Sequence, residues 1–199
     1  DINAVYSNAA FVESTKTVEY KIEIFNNTTS DKTNFTVIDI LPYLYDSSTL
    51  PSKDNPAYYA SRGSRFSVAL NGEIDAVAGY TYYYSTDEPT QEFNDNLSKT
   101  WLEGSEVQEF SKVTMIKIVS DDGTSIHSGK KQSFTFKATL PKPNELYNGN
   151  KASNTVVIYD TGAPNTASES TAATVNVVQY NPNGYVYYDV DENGEFDGS

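Results

Sequence analysis

Hydrophobic and polar residues alternate with a period of two along much of this chain. In residues 18–24, Val18, Tyr20, Ile22 and Ile24 are interleaved with Glu19, Lys21 and Glu23. Successive side chains of a strand point to opposite sides, so this spacing predicts a strand with one buried and one wet face. Residues 34–41 are almost continuously apolar and predict a second strand, ended by Pro42. Alternation returns in residues 65–70, where Asn71 and Gly72 follow as a turn signal, and strands are also predicted at 80–85 and 113–119. Phe134, Phe136, Ala138 and Leu140 alternate with Thr135, Lys137 and Thr139, and Pro141 and Pro143 stop that strand. Further strands are predicted at 153–159, 172–178 and 185–188, with a short one near Ile2 to Ser7. Residues 26–31 form a turn cluster, a Gly/Pro/Asn/Ser/Thr loop separates the strands at 153–159 and 172–178, and residues 43–64 and 86–109 are long polar connections. Roughly eight or nine strands at this spacing, with no sustained helical period, predict an all-β protein: an immunoglobulin-like β-sandwich with long inserted loops.

Composition agrees with sheet and narrows the chemistry. The 199 residues include 16 Tyr and 9 Phe and no Cys, so disulfides and thiolate chemistry are excluded. The formal net charge of −13 opposes nucleic-acid binding and favours cations. No apolar run is long enough to span a membrane, and no basic-then-apolar leader opens at Asp1.

The most specific motif lies at the C-terminal end. Asp189, Asp191, Asn193 and Asp197 occupy positions 1, 3, 5 and 9 of a calcium-loop pattern, Gly194 occupies position 6, and Glu195 would offer its backbone carbonyl from position 7. Hard cations need several converging oxygens, and alternate residues of a tight loop supply them, so Ca2+ is the expected cofactor. An acidic hairpin tip is the alternative reading. The twelfth position would fall beyond Ser199, so the chain reads as a piece of something longer. For hydrolysis, the single His127 sits in a turn with Ser125 and Ser128 nearby, and no nucleophile elbow accompanies it. No spacing singles out a pair of carboxylates. The aromatic clusters offer a ligand platform, with Trp101, Tyr82 and Tyr84 as candidate contacts, although strand tyrosines commonly pack across strands.

The order of several segments resembles a known family. Residues 17–26 and 35–42, Tyr82 to Asp87 with Trp101, residues 113–118, Ser128 and Gly129, Ser133 to Phe136, and Ala152 to Thr155 together resemble the repeat domains of Gram-positive surface adhesins and pilins. Gly184 to Asp197 is similar to the first strand and calcium loop of a collagen-adhesin B-type (Sdr B-like) repeat. The resemblance implies an extracellular, wall-attached stalk or adhesin module without catalytic activity. Residues 1–180 would form the sandwich, and 181–199 a strand and calcium loop that stiffens the junction to a following module. Implied partners are neighbouring modules of the same chain. An alternative function is a carbohydrate- or host-protein-binding module that uses the aromatic-rich loops. Such domains often carry a Lys–Asn isopeptide bond promoted by a buried acid. Asp39 and Asn154 fall on inward faces and fit two of the three roles, but the first strand lacks the lysine and Lys21 falls on the wet face, so the expected mass is that of the uncross-linked chain.

Overall fold

The computed structural model describes residues 2–4, 10–12, 16–142, 145 and 148–178, with the backbone alone for 2–4 and 10–12. Fourteen strands and one short α-helix occur among them: β1 (Ile2–Ala4), β2 (Ala10–Val12), β3 (Thr17–Asn26), β4 (Lys32–Thr33), β5 (Phe35–Ile40), β6 (Ala69–Leu70), β7 (Tyr80–Ser85), α1 (Phe93–Leu97), β8 (Leu102–Glu103), β9 (Met115–Ser120), β10 (Ser125–Ile126), β11 (Lys131–Thr139), β12 (Lys151–Asp160), β13 (Ala163–Glu169) and β14 (Ala173–Val177). The strands make an immunoglobulin-like sandwich. The smaller sheet runs β1-β3-β11-β6, and the larger runs β2-β14-β12-β5-β9-β7-β8, with β13 also on β12. β4 and β10 form a separate two-stranded ribbon.

Alternation decides which faces meet. Val18, Tyr20, Ile22 and Ile24 of β3 are buried while Glu19 and Lys21 face solvent, and β11 does the same with Phe134, Phe136 and Ala138. The β3–β11 register sets Phe134 opposite Ile22 and Phe136 opposite Tyr20, whose rings stack at 5.1 Å. These side chains meet Phe35 and Val37 of β5, Ile116 and Ile118 of β9, and Val156 and Ile158 of β12. Each large side chain taken fully out of water contributes roughly 1.5–3 kcal/mol, so this layer dominates the stability of the fold.

The larger sheet carries a second apolar layer on its outer face. All six residues of β5 are buried, because Ile38 and Ile40 point away from the sandwich core and are covered in turn. Their cover comes from the long connections: Phe93 and Leu97 of α1, Trp101, Tyr43 and Leu50. The near-continuous apolar run at 34–41 therefore has a direct cause, a strand packed on both sides. The connection at 86–109 is a folded lid rather than a free loop.

The leading strand divides between the sheets. β1 pairs antiparallel with β3, Ile2 opposite Asn26, and β2 then pairs in parallel with β14, Ala10 opposite Val175 and Val12 opposite Val177. β1 thus starts at the end of the sandwich where Phe35 faces Asp160. β14 finishes beside Asn150, at the far end of β12. Ten residues of β12 at ~3.3 Å each place those ends roughly 30 Å apart.

Two expectations are corrected. The polar segment after residue 160 is not all loop: β13 occupies Ala163–Glu169, with Asn165 and Thr166 exposed. It is an edge strand with a solvated side, where Pro164 is tolerated, so it carries no apolar alternation to read. Conversely, Phe66, Val68 and Leu70 are buried in alternation, yet only Ala69–Leu70 joins a ladder, against β11. No helix among the described residues is long and apolar enough to cross a membrane.

Candidate functional site

Polar chemistry collects at three places. The first lies inside the core. Asp39 of β5 and Asn154 of β12 are fully buried, and Asn154 Nδ2 donates to Asp39 Oδ2 at 2.9 Å. Burial pushes the Asp39 carboxyl up to about 7, against the Asn154 hydrogen bond and the Arg62 charge, which both favour the ionised form. Burial, and then the nearby Asp39 charge, raise the Tyr20 phenol well above its ordinary range. Among the described residues the Tyr20 hydroxyl, Asp39 Oδ1 and Asn154 Oδ1 have no hydrogen-bond partner. The expected inward pair is therefore in contact, but the β3 side chain within electrostatic reach of it is a phenol and not an amine. Lys21 points outward and pairs with Glu23 at 3.0 Å. Among the described residues the arrangement holds an acid and an amide without the nucleophile a cross-link needs.

The second place adjoins it. The chain after β5 folds into a ribbon: Tyr45 N–H donates to Ser64 O, Arg62 N–H to Asp46 O, and Ser48 N–H to Ala60 O. The ribbon is pinned from within by Arg62, whose guanidinium lies 2.8 Å from Asp46 Oδ2 and donates from Nη1 to Ile40 O at 2.9 Å. Burial raises the Asp46 carboxyl and the Arg62 charge lowers it, with burial the larger effect. From the other side, Glu169 of β13 accepts the amides of Thr49 and Leu50 through Oε2 and the Thr155 hydroxyl through Oε1. A groove of about 340 Å³ lies between ribbon and sheet. Neither Arg62 nor Glu169 stands out in the sequence, because a charged residue in a polar loop or on an edge strand reads as solvated.

The third place is the outer face of β7 and β9. Lys117 Nζ sits 4.7 Å from the Tyr83 ring centroid and 4.4 Å from that of Trp101, a cation held between two aromatic faces. Burial lowers the Lys117 ammonium pKa. Trp101 Nε1 donates to Leu97 O at 3.4 Å, so this residue fastens the 86–109 connection to the sheet.

The other tyrosines singled out in the sequence are used for packing. Tyr84 is 1% exposed, its hydroxyl accepts the Ile74 amide at 3.1 Å, and burial pushes its pKa up to about 12. Tyr82 packs edge-on against Phe134, and its hydroxyl accepts the Val77 amide at 2.8 Å. Both point to the inter-sheet core, which is the reason neither presents its ring as a surface contact. His127 Nδ1 lies 2.6 Å from Asp31 Oδ2, and Ser128 Oγ donates to Thr28 O, so these four residues tie the turns at one end together, and among the described residues no hydroxyl hydrogen-bonds the imidazole. Asp189, Asp191, Asn193, Glu195 and Asp197 lie outside the described residues, as does the strand expected at 185–188. Among the described residues no group of three or more His, Cys, Asp or Glu side chains converges as a metal site.

No protein-family model matches the chain, and no curated protein matches it. Solved structures similar to it include an uncharacterised protein from Nocardia farcinica with an immunoglobulin-like fold, at 10% identity over 89% of this chain and 98% of that one, with a TM-score of 0.44. BcpA, the major pilin subunit of Bacillus cereus, is 11% identical, and the match covers 89% of this chain and 40% of BcpA at a TM-score of 0.38. The seventh ScaB type I cohesin from Pseudobacteroides cellulosolvens is 9% identical, with 94% and 98% of the two chains covered and a TM-score of 0.44.

Proposed function

We propose that the chain is a load-bearing spacer module of an extracellular, wall-attached surface protein. The observation that carries this reading is the parallel pairing of β2 with β14. The chain enters at one end of the sandwich and β14 leaves at the other. Pulling on the two flanks therefore shears the β2–β14 ladder lengthwise, so its hydrogen bonds share the load instead of opening one at a time. The packed tyrosines and the fastened Trp101 connection support the same reading, since the aromatic surface is largely spent on rigidity. The resemblance of residues 17–155 to adhesin and pilin repeats supports placing the module at the cell surface, with neighbouring modules of the same chain as its first partners.

The test is single-molecule pulling in two geometries. Handles at the N- and C-terminal ends load β2 and β14 in shear. Handles in the turns at residues 30 and 162, both at one end of the sandwich, peel strands apart. Terminal pulling is expected to need the higher unfolding force by a clear margin; equal or lower force overturns the reading.

The calcium pattern belongs to the same proposal. Asp189, Asp191, Asn193 and Asp197, with the Glu195 carbonyl, would hold Ca2+ and fix the angle to a following module. Millimolar Ca2+ is expected to raise the melting temperature or reduce the mobility of residues 181–199, and EDTA to reverse it. No response to either reagent removes calcium from the proposal.

A further inference from the structure

The two ends of the sandwich differ in charge. Where the chain enters, Asp31, Asp121, Asp122 and Asp160 stand in or beside the turns, with Lys32 and Lys130. The other end, where β14 finishes, gathers cations. Lys16 precedes β3, and its carbonyl accepts the Leu140 amide at 3.2 Å, two residues before Lys142 at the close of β11. Lys151 opens β12 opposite Asn176 of β14, and its carbonyl accepts the Arg65 amide at 2.7 Å. All four cationic residues are exposed. Among the described residues no ion pair engages Arg65, Lys142 or Lys151. Of the carboxylates on these segments toward the same end, Asp46 is buried against Arg62, Glu19 stands opposite Lys137, and Glu145 follows Lys142 by three residues. An acidic chain thus presents a cationic surface at the point where β14 leaves the sheet.

The sequence that continues from that point carries the opposite charge. Asp189, Asp191, Glu192, Glu195 and Asp197 follow Val177 with no Lys or Arg among residues 178–199. Asp189 comes twelve residues after Val177, a reach of up to roughly 40 Å at ~3.6 Å per residue, so these acids can return to the end they leave from.

We propose that residues 189–197 dock through their carboxylates on the end of the sandwich marked by Arg65, Lys142 and Lys151, with Lys16 on the same end. The ammonium and guanidinium groups donate to the carboxylates, and the covalent tether keeps the two charges at a high effective concentration. A polyanion from outside would have to approach a chain of net charge −13 and displace acids already tethered beside the cations. Docked, the segment holds the start of the connection to a following module against the sandwich. The contact needs carboxylates and no metal, so it stands or falls independently of the calcium reading.

The test is zero-length cross-linking of the 199-residue chain with a water-soluble carbodiimide in EDTA, read by peptide mass spectrometry on the monomeric product. The carbodiimide activates a carboxylate, a lysine amine in contact with it attacks, the urea leaves, and an amide remains. At 10 mM salt, where charges are felt over about 30 Å, Lys142 and Lys151 should join to the five acids several-fold more often than the exposed Lys53 and Lys130 do. In 1 M salt that range falls to about 3 Å while the tether is unchanged, so the yield should drop several-fold. Arg65→Glu keeps both reporter lysines and should lower the yield several-fold at 10 mM salt, with unchanged circular dichroism. A yield indifferent to salt or to Arg65→Glu overturns the proposal, because proximity through the tether alone would then account for it. So do links spread evenly over the exposed lysines, and links found only in dimers, which would put the acids on a second copy.

Discussion

Asp39 is the residue on which the pH behaviour of the domain turns. Its carboxyl has no solvent access, holds one hydrogen bond from Asn154, and titrates near 7 in the folded state. The unfolded value lies near 3.9, so the folded protein binds this proton more tightly than the unfolded chain does. The stability it contributes is complete below pH ~4 and is lost as pH rises through about 7. The total is on the order of 4 kcal/mol. Asp39→Asn removes the ionisation and leaves an amide able to bond Asn154. Urea titrations from pH 4 to 8 should therefore show a falling stability for the natural protein and a flatter profile for the variant, which becomes the more stable of the two above neutrality. Equal slopes would show that Asp39 ionises without cost. The pairing of Asp39 with Asn154 was legible in the sequence, because both fall on the apolar side of an alternating strand. Arg62 and Asp46 were not: a loop of serines, prolines and charges gives no sign that two of its charges turn inward and neutralise each other.

At the scale of elements, the difference between ladder strands and connections explains what could be read in advance. β3 and β11 bury one face by alternation, and a period of two announces them, whereas β9 and β12 of the larger sheet also bury Met115 and Val157 on the outer face. β13 pairs just as really but at an edge, with a backbone hydrogen-bond pattern that leaves no mark on side-chain polarity. The 86–109 connection was legible as too long for an idle loop; that it covers Ile38, Ile40 and Met115 was not, since Phe93, Leu97 and Trp101, although four residues apart, span little more than two helical turns among polar residues. Its anchorage is measurable. Trp101→Ala takes away the ring that closes over Lys117 and packs beside this layer, and should destabilise the domain by about 2–3 kcal/mol, somewhat below the usual range for a fully buried aromatic. Chemical denaturation followed by circular dichroism reads this directly. Protease sensitivity of residues 86–109 should rise in the same variant, with little change in the β3–β11 ladder.

For the whole molecule, the decisive question is whether the sandwich is covalently closed. The core presents an acid and an amide in contact, and the β3 residue within electrostatic reach of them is Tyr20. A phenol stacked on Phe136 is not an amine nucleophile, and Lys21, one residue on, is turned to solvent by the pleat. The intact mass should therefore equal the sum of the residues, with no loss of ammonia or water. The same conclusion has a mechanical consequence. Once the β2–β14 ladder shears, nothing holds back the chain between residues 10 and 177, so terminal pulling should release roughly 167 residues at up to ~3.6 Å each, about 600 Å less the folded length. A bond from β3 to Asn154 would trap most of that segment and leave an extension several-fold shorter. The mass and the extension must agree, and a full mass with a short extension would mean that some other part of the sandwich resists force.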